Sequence, residues 1–199
     1  MSASTMSNEL SATGAWSRRV RRIGGFIQAA FAALWLTRGS LAVGGVIGAS
    51  LVVVFGLVAI VVFTYGIRVT AAVAPRPPGP DARRIERAVT IATVIQLAAS
   101  CALPVIVVAA GQPDWVLPSV AVTIGPLLLW LDRRVDIPRY RPVGWILIIG
   151  PVLAVATMSG TALTVATGLT AGALLLGTAA AGFHDLAVLR IRPAGSPRL

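Results

Sequence analysis

The stretch AVTIATVIQLAASCALPVIVVAAGQPDWVLPSVAVTIGPLLLWL, Ala88–Leu131, holds one acid, Asp114, and no basic residue, yet arginines crowd both of its ends. On one side stand Arg83, Arg84 and Arg87, and on the other Arg133 and Arg134. The hydrocarbon core of a bilayer is about 30 Å thick and is crossed by roughly 20 helical residues. A run of a little over forty residues is therefore long enough to cross, turn near Gly111-Gln112-Pro113, and come back. Both arginine clusters then lie on the side the chain left. Two further stretches of similar length repeat the pattern, Ile23–Ile67 and Val143–Phe183.

The composition agrees. Of 199 residues, 56% are hydrophobic and only 12% charged, against about 25% charged in soluble domains, and mean hydropathy is +0.85. All 17 basic residues are arginine, and the net charge is +10. Arginine without lysine, with abundant Ala, Val and Gly, suggests a GC-rich bacterial genome. The charge does not imply nucleic acid, because the arginines flank apolar runs, where an orientation signal belongs.

The predicted fold class is all-α: a polytopic transmembrane bundle of about six helices in three hairpins. The helices are expected near 23–37, 43–67, 88–110, 115–131, 143–157 and 162–183. Residues 1–22 form a basic N-terminal segment, 23–183 the bundle and 184–199 a basic tail. In this arrangement only Arg38 falls on the face opposite the other arginines. Positively charged short loops stay in the cytoplasm, so both termini are expected there, in the plasma (inner) membrane of a bacterium. Ser17-Arg18-Arg19 resembles an export motif, but Arg21 and Arg22 stand where apolar residues should follow, and a retained first helix is expected.

The first helix is the short one. Fifteen residues reach about 22 Å, and Ile23, Phe26, Ile27, Ala30, Phe31, Leu34 and Trp35 would let it lie flat in the interface. Its other face, Gly24, Gly25, Ala29, Ala32, Ala33 and Leu36, offers water no charge, so spanning is expected, with Arg22 and Arg38 at either end. Trp35, Trp115, Trp130 and Trp145 all fall near predicted helix ends, at headgroup level.

Close helix packing in lipid needs small residues. Gly44-x-x-x-Gly48 in the second helix and Gly168-x-x-x-Gly172 in the sixth supply them, and packing inside the bundle is the expected use. Pro104, Pro118, Pro126 and Pro151 fall inside predicted helices and should bend them. Pro75–Pro80 reads as a stiff linker, with Asp81 capping a short run into the third helix.

Few groups carry chemistry. The lone Cys101 reads as a small buried hydrophobe. His184 beside Asp185 reads as a polar helix tip. Gln28, Gln96 and Thr164 are the candidate polar positions inside the membrane, since an amide in hydrocarbon needs partners. Asp132 and Asp136 have a spacing that would suit a divalent cation, but the arginines beside them neutralise both, so no metal, cofactor or catalytic residue is assigned. Arg133, Arg134, Arg139 and Arg141 are the candidate contacts for anionic phospholipid at the cytoplasmic face.

Pro118-Ser-Val-Ala-Val-Thr-Ile-Gly125, then Pro138-Arg-Tyr140, then Gly144 opening an apolar run, is similar to a group of small, uncharacterised bacterial multi-pass membrane proteins. Those proteins carry His-Phe after the glycine region, where this chain has Leu127 and Leu128. The resemblance covers about thirty residues and implies a multi-helix membrane protein, with no role for a histidine.

The leading expectation is a non-enzymatic membrane protein, self-contained or accessory to a larger complex. Its partners are the bilayer and anionic phospholipid, with a membrane-protein partner or a second copy as a further option, and no nucleic acid. The alternatives are a small-solute permease or channel, which needs a polar cavity, and a lipid-acting enzyme at the inner surface.

Overall fold

A computed structural model describes the backbone of residues 3–71, 80–135 and 137–191, with side chains assigned over 22–71, 87–134 and 137–188. The described chain is helical throughout: α1 Ala3–Val43, α2 Gly45–Ala71, α3 Pro80–Ala109, α4 Val116–Val135, α5 Tyr140–Thr157 and α6 Gly160–Ile191. Pro113–Trp115 adds one 3-10 turn before α4. Six helices are long and apolar enough to cross a membrane, so the protein is an all-helical, multi-pass membrane protein by length and composition. The proline linker 75–80 falls outside the described residues except for Pro80, which opens α3.

The first helix is longer than expected. Its spanning part runs Arg22–Val43, 22 residues, or about 33 Å, and α-helical backbone extends back to Ala3. The shorter prediction stopped at Arg38-Gly39-Ser40, but nothing there ends the helix. Gly39 and Ser40 are buried, while Arg38 is exposed within the helix. The turn comes at Gly44 and Gly45, with φ of +74° and +56°, a left-handed conformation that favours glycine. Gly44 is thus a hinge between helices rather than half of a packing motif. Gly48 packs back on the turn, where a Cβ would come 2.6 Å from the Ser40 carbonyl.

α6 is the hub. It packs most extensively on α1 and also touches α2, α4 and α5. Half of its most apolar window is buried, against none of that of α3, which leans on α4 and only grazes α1. The α1–α6 crossing is antiparallel: Gly39 meets Gly168, Leu36 meets Gly172, and Gly25 meets Phe183. The expected glycine pair of α6 therefore serves packing within the bundle. α4 and α5 approach in the same way, a Cβ on Gly144 falling 2.9 Å from the Gly125 carbonyl.

Phe183, fully buried, closes one end of the core. Its ring lies against Gly25 and Gly66 and sits 5.0 Å from that of Phe26, which is 5.0 Å from Phe63. Three helices meet on that one side chain. Because α1 runs on to Val43, Trp35 lies eight residues before the end of its helix, inside the core at 6% exposure; Trp115 and Trp145 are exposed. Pro118 falls in the first turn of α4, where a missing N–H costs little. Pro104, Pro126 and Pro151 lie deeper in their helices.

Candidate functional site

A cavity of about 290 Å³ lies between α1, α3 and α4, with Tyr140 of α5 and Leu175 of α6 completing its wall. Such a volume is at the small end of ligand sites, which run from about 300 to 1,000 Å³. The lining is mostly apolar, with Ile27, Phe31, Ile124, Leu127 and Leu131 among its walls. Among the described residues, no arginine, acid or histidine lines it. It forms because α3 stands off from α1: the two helices share a wall of the space while barely touching.

Both candidate glutamines line it. Gln28 is buried, 8% exposed, and its Oε1 has no hydrogen-bond partner among the described residues. Gln96 is half-buried and donates through Nε2 to Ser100 Oγ at 2.9 Å. Ser100 Oγ shares a 2.6 Å hydrogen bond with Thr123 Oγ1 across the α3–α4 contact. Thr123 Oγ1 also donates to the Val120 carbonyl at 2.7 Å. A polar thread thus leads from the cavity into the α3–α4 seam. Thr90 and Thr93 add hydroxyls to the lining, and Thr93 Oγ1 donates to the Val89 carbonyl at 2.9 Å.

Thr164 does not join this group. Its hydroxyl donates to the Gly160 carbonyl at 3.3 Å, within its own helix. Nearby, Asp114 Oδ2 accepts from the Gly160 N–H at 3.1 Å and caps the start of α6.

The arginines beside the cavity divide. Arg139 is drawn inward: Nη1 donates to Asp185 Oδ2 at 2.6 Å, and its side chain is 23% exposed. Its Nε and Nη2 are buried with no hydrogen-bond partner among the described residues. Arg139 therefore joins the start of α5 to α6 through Asp185. Arg141 is exposed, with Nε 3.8 Å from Asp132 Oδ2. Arg133 and Arg134 are exposed at the end of α4, and the Arg134 guanidinium lies 6.0 Å from the centre of the Trp130 ring. Asp136 falls outside the described residues. Among those described, no cluster of three or more His, Cys, Asp or Glu side chains forms a metal site.

His184 is exposed, and the Asp185 carboxylate beside it turns to Arg139. Cys101 is exposed on α3 rather than buried. Gln96 and Ser100, four residues apart, set the inward face of α3, and Cys101 is one residue further round.

Sequence reading found the two glutamines but not that they share a cavity. The signal available was their placement at similar distances from an arginine cluster, Arg22 before Gln28 and Arg87 before Gln96. No family model matches this chain, and no significant similarity to a curated protein or to a solved structure was found.

Proposed function

We propose that this chain is a non-enzymatic, multi-pass protein of a bacterial plasma membrane that takes an apolar molecule from the bilayer into the cavity between α1, α3 and α4. The observation that carries the reading is the cavity itself: among the described residues its walls are almost wholly apolar and bear no charge, while two amides offer hydrogen bonds within it. Such walls favour a hydrocarbon body carrying a few polar atoms over a hydrated ion.

Both termini are cytoplasmic in this reading, and the helices traverse as three hairpins. Supporting it, Gly25, Gly66 and Phe183 meet at one end of the bundle, and Gly24 faces Tyr140 there. Arg22, Arg68 and Arg139 follow or precede those residues closely in sequence. Arg38 lies toward the other end, beside the Gly39–Gly168 contact. That distribution fits the retention of positive charge on the cytoplasmic side.

A small-solute permease is the second reading. It is favoured by the Gln96–Ser100–Thr123 thread, which sets polar groups beside the cavity in the α3–α4 seam. Asp132 keeps to Arg141 outside the cavity lining, which favours neither reading and gives the lipid-acting enzyme no support.

The test is binding of a lipophilic fluorescent probe to the full chain purified in a neutral detergent. The wild type should bind one probe per chain, and filling the cavity with Leu127→Trp should abolish that binding while helical content is unchanged. Equal binding by the two proteins would refute the proposal.

A further inference from the structure

The cavity's depth, and the charges that follow its lining faces at one end, narrow its occupant. Its lining runs from Ile23 to Phe31 on α1 and from Val89 to Gln96 on α3, about 12 and 10 Å along the helices at 1.5 Å per residue. Half of a hydrocarbon core is about 15 Å. The space therefore lies within one leaflet, the one at the end of Gly24, Tyr140 and Phe183.

At that end two exposed arginines continue the lining faces of their helices. Arg87 is one turn before Thr90 on α3, and Arg134 one turn beyond Leu131 on α4; both Thr90 and Leu131 line the cavity. Residues three apart on a helix share a face, so Arg87 and Arg134 sit one turn beyond the lining on the same helix faces, with the Arg134 guanidinium 6.0 Å from the centre of the Trp130 ring. The planar guanidinium fork matches a phosphate in a way a lone ammonium does not. The uncharged interior below accepts a hydrocarbon chain. Gln28, buried with Oε1 unpartnered among the described residues, and Gln96 place amides within that leaflet, where a lipid's ester groups and the water bound to them supply acceptors and donors.

We infer that the occupant is an anionic glycerophospholipid of that leaflet, one acyl chain in the cavity and its phosphate engaged by Arg87 and Arg134. The inference rests on the reading that the cavity holds a molecule from the bilayer, and deepens it by naming the lipid class. It also sets Arg134 apart from Arg139, which Asp185 occupies, and from Arg141, which lies near Asp132.

Native mass spectrometry of the full chain tests it, with phosphatidylglycerol and phosphatidylcholine of identical acyl chains added in competition. The wild type should retain one lipid, preferring phosphatidylglycerol by about thirtyfold, as two well-placed arginines near anionic lipid would give. The double variant Arg87→Gln/Arg134→Gln should keep one lipid but lose the preference to within about twofold. The two fillers, Leu127→Trp from α4 and Thr93→Phe from α3, should release both lipids. Preference retained in the double variant would overturn the assignment of the headgroup while leaving the cavity reading intact. Lipid retained by both fillers would overturn the two together.

Discussion

A methyl group built on Gly168 of α6 would lie 2.7 Å from the Cα of Gly39 on α1, so the two helices touch backbone to backbone. Neither partner is a flexible side chain that can swing aside. Gly168→Leu should therefore force α1 and α6 apart and destabilise the hub by about 1–3 kcal/mol or more, the usual cost of overpacking. The measure is the thermal midpoint in detergent. Gly177→Ala, where a Cβ meets nothing within 4 Å, should leave it unchanged.

Asp185 is the counter-charge of a partly buried arginine. Asp185→Asn should cost about 1.5–3 kcal/mol, the range for a hydrogen bond to a charged group. The double variant Arg139→Gln/Asp185→Asn should be less destabilised than the sum of the single changes. Additive effects in that cycle would show that the two side chains act independently.

At the opposite end, Asp114 holds the first turn of α6 through the Gly160 N–H. Asp114→Ala should cost about 1 kcal/mol, as for the loss of a helix cap. Gly160, at φ +56°, should resist alanine by a similar amount, about 1–2 kcal/mol, because a Cβ is strained there.

α3 should open before the rest. Its link to α4 includes the Ser100–Thr123 hydrogen bond, and interhelical bonds of this kind contribute only about 0.6 kcal/mol on average. Hydrogen exchange should be fastest on α3 among the spanning segments, and Thr123→Val should speed it further without changing exchange on α6. Equal protection of α3 and α6 would contradict the hub arrangement.

The number of helices was legible because a bilayer fixes both the length and the apolarity of a crossing, and arginine marks where each crossing ends. Where α1 ends was not legible. Arg38 and Gly39 look like a boundary, whereas the chain turns five residues later, at the glycine that adopts a positive φ. The faces of the helices were harder still. α1 and α3 are apolar nearly all round, so no polar stripe announces that Trp35 points in and Cys101 out. In water an amphipathic pattern would separate them; in lipid both faces are greasy. Gln28 and Gln96 stood out as amides in apolar runs, but only the gap between α1 and α3 makes them one site.

Which side of the membrane each turn occupies decides both the paired crossings and the leaflet of the cavity. With Cys101 first replaced by alanine, single cysteines at positions 76, 141 and 111 can be labelled in sealed vesicles with a membrane-impermeant maleimide. Positions 76 and 141 should react only from the cytoplasmic side, and position 111 only from the other. Positions 76 and 141 reacting from opposite sides would contradict the paired crossings, and with them the assignment of the cavity to one leaflet.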